Sequence, residues 1–254
     1  METLRKPNQG VLNIVRFNWH FYVIAILLIG VLLLGVNYVT PIGQMYIYSA
    51  IIILLVAVPL LVSLVVSWYV YDCSGLYAFS WLPEENTEQT IVNVNAGFDE
   101  TSAIFKQRFK NSELKVFDFY DPKKHTEVSI QRARKAYPPY KNTIIIETTQ
   151  LPMEDSTADK ILVVFAAHEI RDVEERQDFF KELYRVLKPN GRIYVQEHLR
   201  DTANFLGYTV GFLHFYDRKS WFTIFKNVNL DIAKELKQTP FVTTFILEKN
   251  GNTH

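Results

Sequence analysis

The chain has 254 residues, a length that can hold one large domain or two small ones. Its 27 basic and 27 acidic residues balance, so the total charge gives no reason to expect a nucleic acid partner. The single cysteine, Cys73, excludes an intramolecular disulfide and agrees with a reducing compartment.

A long stretch near the amino terminus carries no charge. No Asp, Glu, Lys or Arg occurs from Phe17 to Tyr71, and the stretch contains two apolar runs, at 20–39 and 46–69. Each run reaches the roughly 20 residues with which a helix crosses a bilayer, and the TPIGQ between them suits a tight turn. A second apolar run without a cleavage site argues against a signal peptide, and a buried soluble hairpin is the other alternative. The pattern predicts a transmembrane hairpin.

The flanks of this hairpin predict its orientation. Arg5, Lys6 and Arg16 precede the first span, whereas the connecting loop is uncharged. Because positive residues stay in the cytoplasm, the amino terminus and the domain after the second span are both expected on the cytoplasmic side. The sequence therefore predicts an integral membrane protein with two spans, in contact with the lipid bilayer.

The segment DCSGLYAFSWLPEENTE, residues 72–88, connects the hairpin to the remaining chain. Its aromatic residues Tyr77, Phe79 and Trp81 argue against a flexible linker. The plainer interpretation is an interfacial segment lying against lipid headgroups, and the other is a lid or wall for a lipophilic substrate. The predicted organisation is a hairpin segment at 1–71, an aromatic interfacial connector at 72–88 and a domain at 89–254.

Strand-like and helix-like patterns alternate through this domain. Strands are predicted at 90–94, 114–118, 143–147, 161–165 and 192–197. Helices are predicted at about 100–110, 125–136 and 172–187. Such alternation predicts a mostly parallel sheet covered by helices, of the Rossmann-like α/β class.

The end of the chain departs from this alternation. Strand-like runs at 230–236 and 241–248 are separated only by KQTP, which is too short for a helical crossover, so an antiparallel hairpin is expected. Earlier, Asn190 and Gly191 follow the last predicted helix and suit a left-handed turn. A C-terminal antiparallel hairpin is unusual for a dinucleotide-binding dehydrogenase.

The stretch IVNVNAGFDETS, residues 91–102, has the order strand, glycine turn and helix start. Nucleotide-binding loops begin in this way, but they usually have two or three glycines, and here Gly97 stands alone. These residues by themselves leave open whether the stretch is a cofactor loop or an ordinary turn.

Two longer motifs resemble the class I S-adenosylmethionine-dependent methyltransferases, in particular the ubiquinone/menaquinone-type branch. FFKELYRVLKPNGRIYVQE, at 179–197, is similar to the pattern E-x-x-R-V-L-K-P-G-G, with Asn190 in place of the first glycine. ETTQLPMEDSTADKILVVFAAHEI, at 147–170, resembles the family's acidic residue, Leu-Pro step, strand and histidine, with Ala158 in place of the usual phenylalanine. The resemblance covers about residues 88–250.

The resemblance implies S-adenosyl-L-methionine as the cofactor. The loop around Gly97 would cradle its methionine part, with Glu100 near the amino acid end or, alternatively, serving only as a favourable charge at a helix start. An acid after the second strand would accept the ribose hydroxyls, and spacing favours Asp118 over Asp121. Glu147 takes the place of the acid that faces the adenine amino group. The residues assigned to the cofactor are Asn95, Ala96, Gly97, Glu100, Asp118, Asp121, Glu147, Thr148 and Phe165.

Methyl transfer needs in-line placement of the acceptor and, for a phenol or an enol, removal of a proton. The candidate bases are His168, Glu197, His198 and His214. His198 and His214 lead because imidazole titrates near neutral pH, and a structural, hydrogen-bonded histidine is the alternative at each position. No Cys-rich or His-rich ligand spacing occurs in the sequence, so a metal is not predicted.

Little sequence precedes the first predicted strand to roof a substrate site, so the membrane-proximal segment is expected to take that role. The predicted function is a membrane-anchored methyltransferase acting on a lipophilic small molecule, such as a quinone-like, phenolic or polyene acceptor, at the cytoplasmic membrane face. A non-catalytic membrane scaffold with a degenerate methyltransferase fold is the first alternative. A nicotinamide-dependent oxidoreductase is the second, and the sparse glycines and the terminal hairpin argue against it.

Overall fold

Strands and helices alternate along the second half of the chain, as the sequence pattern predicts. The computed structural model describes residues 5–39, 41–83 and 88–251. The strands in these ranges are β1 (Thr90–Asn95), β2 (Glu113–Asp118), β3 (Ile144–Ile145), β4 (Ala158–Val164), β5 (Leu187–His198), β6 (Leu230–Thr239) and β7 (Val242–Lys249). The α-helices are α1 (Gln9–Val39), α2 (Ile42–Trp68), α3 (Ser102–Arg108), α4 (Val128–Ala136), α5 (Val173–Val186), α6 (Thr202–Tyr208) and α7 (Arg218–Asn227). A π-helical turn spans Tyr69–Cys73, and 3₁₀ turns span Leu76–Ala78, Ala167–Glu169 and Thr209–His214.

The strands form one seven-stranded sheet in the order β3-β2-β1-β4-β5-β7-β6. The first five strands of the chain pair in parallel, whereas β7 is antiparallel to both β5 and β6. The predicted Rossmann-like, mostly parallel sheet with a C-terminal antiparallel hairpin is therefore confirmed. Strand order reverses between β1 and β4, and ligands of open α/β sheets bind in the crevice outside the carboxyl ends of the strands at such a point.

The two faces of the sheet carry separate apolar cores because successive strand residues point to opposite sides. On one face, Val92 of β1 and Val163 of β4 pack in a cluster with helices α5 and α7. On the other face, Ile91 and Leu162 pack with Phe105 of α3. Both faces of the sheet are thus covered, and the crevice at the carboxyl ends of the strands is left open.

Two apolar helices, α1 and α2, precede the domain and pack against each other. Both are long and apolar enough to cross a membrane, and only 6% and 0% of their most apolar windows are buried in the protein. A core helix of a soluble protein would bury most of such a window. The helix α2 continues through Pro59.

The helix α1 consists of two parts that meet at Asn18, whose backbone is not helical (φ −113°, ψ 16°). The Asn18 side-chain amide donates to the Ile14 carbonyl oxygen at 3.0 Å. The part before this break, which we call the α1 arm (residues 9–17), carries the buried residues Gly10, Asn13 and Phe17. The α1 arm therefore belongs to the domain, whereas the apolar run after it is exposed.

The π-helical turn after α2 holds the α1 arm in place. The Asp72 carboxylate accepts hydrogen bonds from the backbone N–H groups of Gly10 (2.7 Å) and Val11 (2.9 Å), which caps the start of α1. A Cβ atom on Gly10 would lie 2.4 Å from the Tyr71 Cβ, so this approach requires glycine. The same turn directs Tyr71 toward the carboxyl edge of the sheet.

Two local predictions are wrong. Asn190 and Gly191 do not form a left-handed turn: the strand β5 begins directly after α5, at Leu187, and neither residue has positive φ. The connector is not merely interfacial, because Phe79 and Leu82 are buried in the sheet cluster with Phe105. Apolar burial against the sheet outweighs exposure to headgroups for these two side chains.

Candidate active site

A cavity of about 250 Å³ lies at the carboxyl ends of β1 and β4. Asn95 and Ala96 line it from the β1 side and Phe165 from the β4 side. Side chains from two helices cover the cavity: Asn13, Ile14 and Phe17 of the α1 arm, and Ile130 and Ala133 of α4. The α1 arm therefore covers the cavity, whereas the membrane-proximal segment that was predicted to do so contributes only Tyr77 to its wall, beside Tyr71.

The turn after β1 is tightly built around Asn95 and Gly97. The Asn95 side-chain amide donates to the Phe117 carbonyl oxygen (3.2 Å), and its Oδ1 accepts from the Gly97 N–H (3.0 Å). Gly97 has φ +93°, and a Cβ there would lie 2.8 Å from Arg134 Nη1 and 2.9 Å from Tyr120 Cβ. Both the conformation and the space require glycine at this one position of the loop.

Asp118 ends β2 with its carboxylate buried, at the position predicted for the ribose acid. Its Oδ1 accepts from the Tyr120 N–H at 2.9 Å, and its Oδ2 forms an ion pair with Arg134 of α4. The Arg134 guanidinium lies over the Tyr120 ring, 4.4 Å from its centroid. Both carboxylate oxygens of Asp118 are therefore bonded to protein groups.

The remaining residues predicted for the ribose and adenine lie in a second, separate cleft. Asp121, Glu147 and Thr148 line this open cleft, which follows β2 and β3. Glu147 is exposed, whereas the Thr148 hydroxyl donates to Glu175 Oε1 at 2.6 Å. Asp121 accepts from a backbone N–H in its own turn, as expected for a turn residue. The structure thus divides the predicted cofactor residues between two recesses, with the pair of Asp118 and Arg134 between them.

Glu100 is bound by the amino-terminal part of the chain. Its Oε1 lies 2.9 Å from Arg5 Nη1 and accepts hydrogen bonds from the side-chain amides of Gln9 (2.9 Å) and Asn13 (3.3 Å). Its Oε2 accepts from the Tyr77 hydroxyl at 3.1 Å. These contacts make Glu100 an anchor of the α1 arm.

Phe165, at the end of β4, adopts φ +50°, a strained conformation for a bulky side chain. Its ring stacks on the imidazole of His198 at 5.0 Å between centroids, and Phe215 stacks on the other face at 4.9 Å. The Tyr71 hydroxyl lies 2.8 Å from His198 Nε2. His198 is therefore held in a fixed orientation behind Phe165 and Tyr71.

The surroundings of His198 determine its protonation. Its Nδ1 faces two acceptors, the Phe241 carbonyl oxygen (2.9 Å) and Asn204 Oδ1 (3.2 Å), so Nδ1 carries the proton and Nε2 accepts from the Tyr71 hydroxyl. Burial lowers the pKa of His198 to about 4, despite the hydrogen bond to Phe241. The predicted base is therefore neutral at physiological pH and meets the cavity through Tyr71.

The other predicted catalytic residues form a cluster beside the cavity. The fully buried carboxylate of Glu197 accepts from the His168 backbone N–H (3.2 Å) and lies 2.6 Å from His168 Nδ1. Glu169 Oε1 lies 3.3 Å from His168 Nε2 and 3.5 Å from His214 Nε2. His214 Nδ1 lies 3.2 Å from Glu127 Oε1. Glu197, one of the candidate bases, is thus buried behind His168.

The charges of this cluster depend on one another. Burial alone would lower the pKa of His168, but the carboxylates of Glu197 and Glu169 raise it to about 10. Burial alone would raise the pKa of Glu169, but hydrogen bonds with His168 and His214 hold it well below its usual range. At neutral pH His168 is therefore a cation between two carboxylates rather than a free base.

Several residues of the site could not be selected from the sequence. Tyr71 belongs to an aromatic run at the end of the second apolar stretch, where it resembles an interfacial residue. Arg134 belongs to an ordinary basic helix, and Glu127 precedes that helix. The only sequence signal for the α1 arm is its polar residues before the apolar run, which also suit a membrane flank.

Comparison with known proteins gives a family match over part of the chain. The family model described as a methyltransferase domain matches residues 123–195. No curated protein is significantly similar to the chain. The matched region runs from the loop before α4 into β5, and so contains the whole of the long motif at 147–170 and the one at 179–197 up to Val195.

Solved structures share the fold at low sequence identity. A SAM-dependent methyltransferase from Aquifex aeolicus superposes with a TM-score of 0.50 and 16% identity, covering 74% of this chain and 97% of that chain. A geranyl diphosphate methyltransferase in complex with SAM gives a TM-score of 0.52 and 12% identity, covering 73% and 88%. The geranyl diphosphate C-methyltransferase from Streptomyces coelicolor A3(2) gives 0.50 and 11%, covering 69% and 79%. The domain therefore has the fold of the SAM-dependent methyltransferases.

The residues at the carboxyl edge of the sheet fit this cofactor in part. The tight turn at Gly97 and the buried acid Asp118 follow β1 and β2, as a nucleoside with an amino acid tail requires. Asp118 is paired with Arg134 and Glu100 is occupied by the α1 arm. Arg134 would therefore compete with a ribose for the Asp118 carboxylate.

Proposed function

We propose that this protein is a membrane-anchored S-adenosylmethionine-dependent methyltransferase that acts on a lipophilic small molecule at the cytoplasmic membrane face. One observation carries the proposal: the helix that walls the cavity at the carboxyl edge of the sheet, α1, continues past Asn18 into an exposed apolar run long enough to cross a bilayer. An acceptor that leaves the membrane along α1 would meet the cavity directly.

The cofactor end of the site is assigned to the β1 and β2 loops. The turn at Asn95, Ala96 and Gly97 would hold the methionine part, and Asp118 the ribose. Glu147, exposed at the edge of the second cleft, would receive the adenine amino group. When bound, S-adenosylmethionine supplies an activated methyl group.

The acceptor end of the site is assigned to Phe165, Tyr71 and His198. Ile14 and Phe17 of the α1 arm and Phe165 give the cavity an apolar wall, while the Tyr71 hydroxyl lies 2.8 Å from Nε2 of the neutral imidazole. Because His198 Nε2 holds the Tyr71 hydroxyl proton in a hydrogen bond, the Tyr71 oxygen would accept a hydrogen bond from a phenol or enol acceptor, while the lowered pKa of His198 makes it a weak base for the proton itself.

Membrane attachment has a second, independent support. The helix α6 and the 3₁₀ turn after it pack beside the end of α2, where a Cβ on Gly207 would lie 3.2 Å from Val66 Cγ1. This segment exposes several large apolar side chains, namely Phe205, Leu206, Val210 and Leu213. We call these four residues the α6 patch. Exposed apolar residues next to the end of an apolar helix fit an interfacial position in a bilayer.

A non-catalytic membrane scaffold is the second candidate function. It is favoured by a specific observation: both carboxylates expected to contact the cofactor, Asp118 and Glu100, are satisfied by protein side chains. A domain that no longer binds a cofactor would be stabilised by such internal pairs.

Calorimetric titration of the detergent-purified protein with S-adenosylmethionine and S-adenosylhomocysteine tests the cofactor. We expect binding in the micromolar range, weakened about tenfold or more by Asp118→Ala, because the ribose hydroxyls lose their acceptor. Glu147→Ala should weaken binding by a smaller factor, since its side chain is exposed. The matched control is Asp231→Ala, which removes an exposed acid from β6 at the opposite edge of the sheet.

Absence of binding in a folded protein would overturn the methyltransferase assignment in favour of the scaffold. Equal affinities in Asp118→Ala and Asp231→Ala would place the ribose elsewhere. With binding established, radioactive methyl transfer into lipid extracts from the source membrane identifies the acceptor class.

A further inference from the structure

Two segments that lie far apart in the sequence bring a ligand set for a metal ion together. His168 and Glu169 belong to the 3₁₀ turn after β4, and His214 ends the 3₁₀ turn after α6. Their ligand atoms all lie within 4.8 Å of one another. Two imidazoles and one carboxylate form a donor set that catalytic zinc sites use, with a fourth position left for water or substrate.

The separations of these atoms suit one ion. Glu169 Oε1 lies 3.3 Å from His168 Nε2 and 3.5 Å from His214 Nε2. Ligands at roughly 2.0–2.1 Å from a tetrahedral zinc ion are about 3.4 Å apart. Two of the three separations therefore match a tetrahedral ion, and the two histidine nitrogens, which lie within 4.8 Å of each other, complete the set.

The second observation is the support behind His168. Its Nδ1 lies 2.6 Å from the carboxylate of Glu197, which is completely buried, and this contact turns Nε2 toward Glu169. Metal-binding histidines have such a partner on their other nitrogen, which fixes the ring and the tautomer. In the metal-free protein the protonated His168 balances this buried carboxylate, and a divalent ion would take over that charge when His168 releases its Nε2 proton.

We propose that His168, Glu169 and His214 bind a divalent transition metal ion of the zinc class at the acceptor end of the cavity. Glu169 and Glu127 line the cavity, so the open position of the ion faces the space assigned to the acceptor. Its use in holding an acceptor oxygen, such as a phenolate or enolate, rests on the proposed function. The binding of the ion does not.

One neighbour must move for this site to fill. Arg171 contacts the His214 ring nitrogens and lies 3.7 Å from Glu127 Oε1. Its side chain is 43% exposed, so it can turn into solvent. The carboxylates of Glu127, Glu169 and Glu197 face this arginine and the protonated His168, and one divalent ion would replace both of these positive charges.

The test is metal binding by the full-length, detergent-purified protein after treatment with a chelator. We expect one equivalent of Zn²⁺ to bind with micromolar or tighter affinity, and Co²⁺ to give the visible absorption of a tetrahedral site. His214→Ala, at the surface, and the isosteric Glu169→Gln should each weaken Zn²⁺ binding at least tenfold. Glu197→Gln, a positioning residue, should weaken it by about 10–100-fold.

The matched control is His125→Gln, which changes a histidine in the loop before α4, in the second cleft. It should leave Zn²⁺ affinity within twofold. Thermal unfolding of each variant verifies the fold. The proposal would be overturned if the wild-type protein bound no stoichiometric Zn²⁺. It would also be overturned if His214→Ala and Glu169→Gln bound Zn²⁺ as tightly as the wild-type protein does. Titration of the same preparations with S-adenosylmethionine distinguishes a failure of the metal site from a failure of the proposed methyltransferase function. Metal binding without cofactor binding would overturn only the proposed function.

Discussion

At the scale of single residues, the pairing of Asp118 decides whether the site is open. In methyltransferases of this fold the acid after the second strand is expected to be available to a ribose, but here Arg134 occupies one oxygen and the Tyr120 N–H the other. An ion pair with a buried carboxylate must be exchanged for new hydrogen bonds when a ligand binds. Arg134 therefore reduces the apparent affinity of any ligand of Asp118.

Replacing Arg134 tests this competition. We expect Arg134→Met to bind S-adenosylmethionine roughly three- to tenfold more tightly, because both oxygens of Asp118 need to be satisfied and the ribose is the remaining donor. The same change should lower the unfolding temperature without cofactor, since Asp118 stays buried without its cation. Calorimetry and thermal unfolding measure the two effects.

Lys135→Met is the control for Arg134→Met, because it removes an exposed positive charge from the same helix. It should change neither quantity measurably. Weaker binding in Arg134→Met would show that Arg134 contacts the cofactor itself instead of competing with it.

At the scale of elements, the α6 patch and the α1 arm connect the domain to the apolar hairpin. The α1 arm is held from three sides: Asp72 caps it, Glu100 binds Gln9 and Asn13, and the Arg132 guanidinium donates to the Phe17 carbonyl oxygen at 2.6 Å. The α6 patch lies beside the end of α2. The α1 arm also lines the cavity, whereas the α6 patch does not.

The α6 patch predicts a specific contact with lipid. In a Cys73→Ser background, a fluorophore attached to Leu206→Cys in lipid nanodiscs should be quenched by lipids that carry spin labels, because the side chain faces the bilayer interface. The control is Val173→Cys, an exposed apolar position at the start of α5. Equal quenching at the two positions would contradict the interfacial assignment.

At the scale of the whole molecule, the exposed apolar hairpin is separable from the cavity wall. The residues that line the cavity from this part of the chain end at Asn18 on α1 and resume at Tyr71. Between Asn18 and Tyr71, the most apolar stretches of α1 and α2 are almost entirely exposed on the protein surface. The exposed part of the hairpin therefore does not line the cavity, and contact with a membrane is the role proposed for it.

Deleting residues 23–62 and joining the ends by a short Gly-Ser link tests this separation. The shortened protein should leave the membrane fraction and retain S-adenosylmethionine affinity within about threefold, since the α1 arm and Tyr71 are kept. It should also lose methyl transfer to an acceptor embedded in a bilayer. Shortened protein that still resists extraction from membranes by carbonate would contradict the role of the hairpin as the anchor.

The sequence by itself determined the features that depend on short stretches of chain. The length of the apolar runs, the alternation of strands and helices, and the antiparallel end of the sheet follow from local hydrophobic periodicity and loop length. The position of Gly97 follows in the same way, because a strand end and a helix start flank it. These properties are local, so their physical causes are visible in the order of residues.

Only the tertiary structure decided how the charged groups are paired. Asp118 meets Arg134, Glu100 meets the α1 arm, and His168 meets both Glu197 and His214, each across a large distance in the chain. These contacts depend on which loops the sheet order brings to one edge, and on which carboxylates lose their water there. Burial and neighbouring charge then set the role of each group, which residue type and spacing do not reveal.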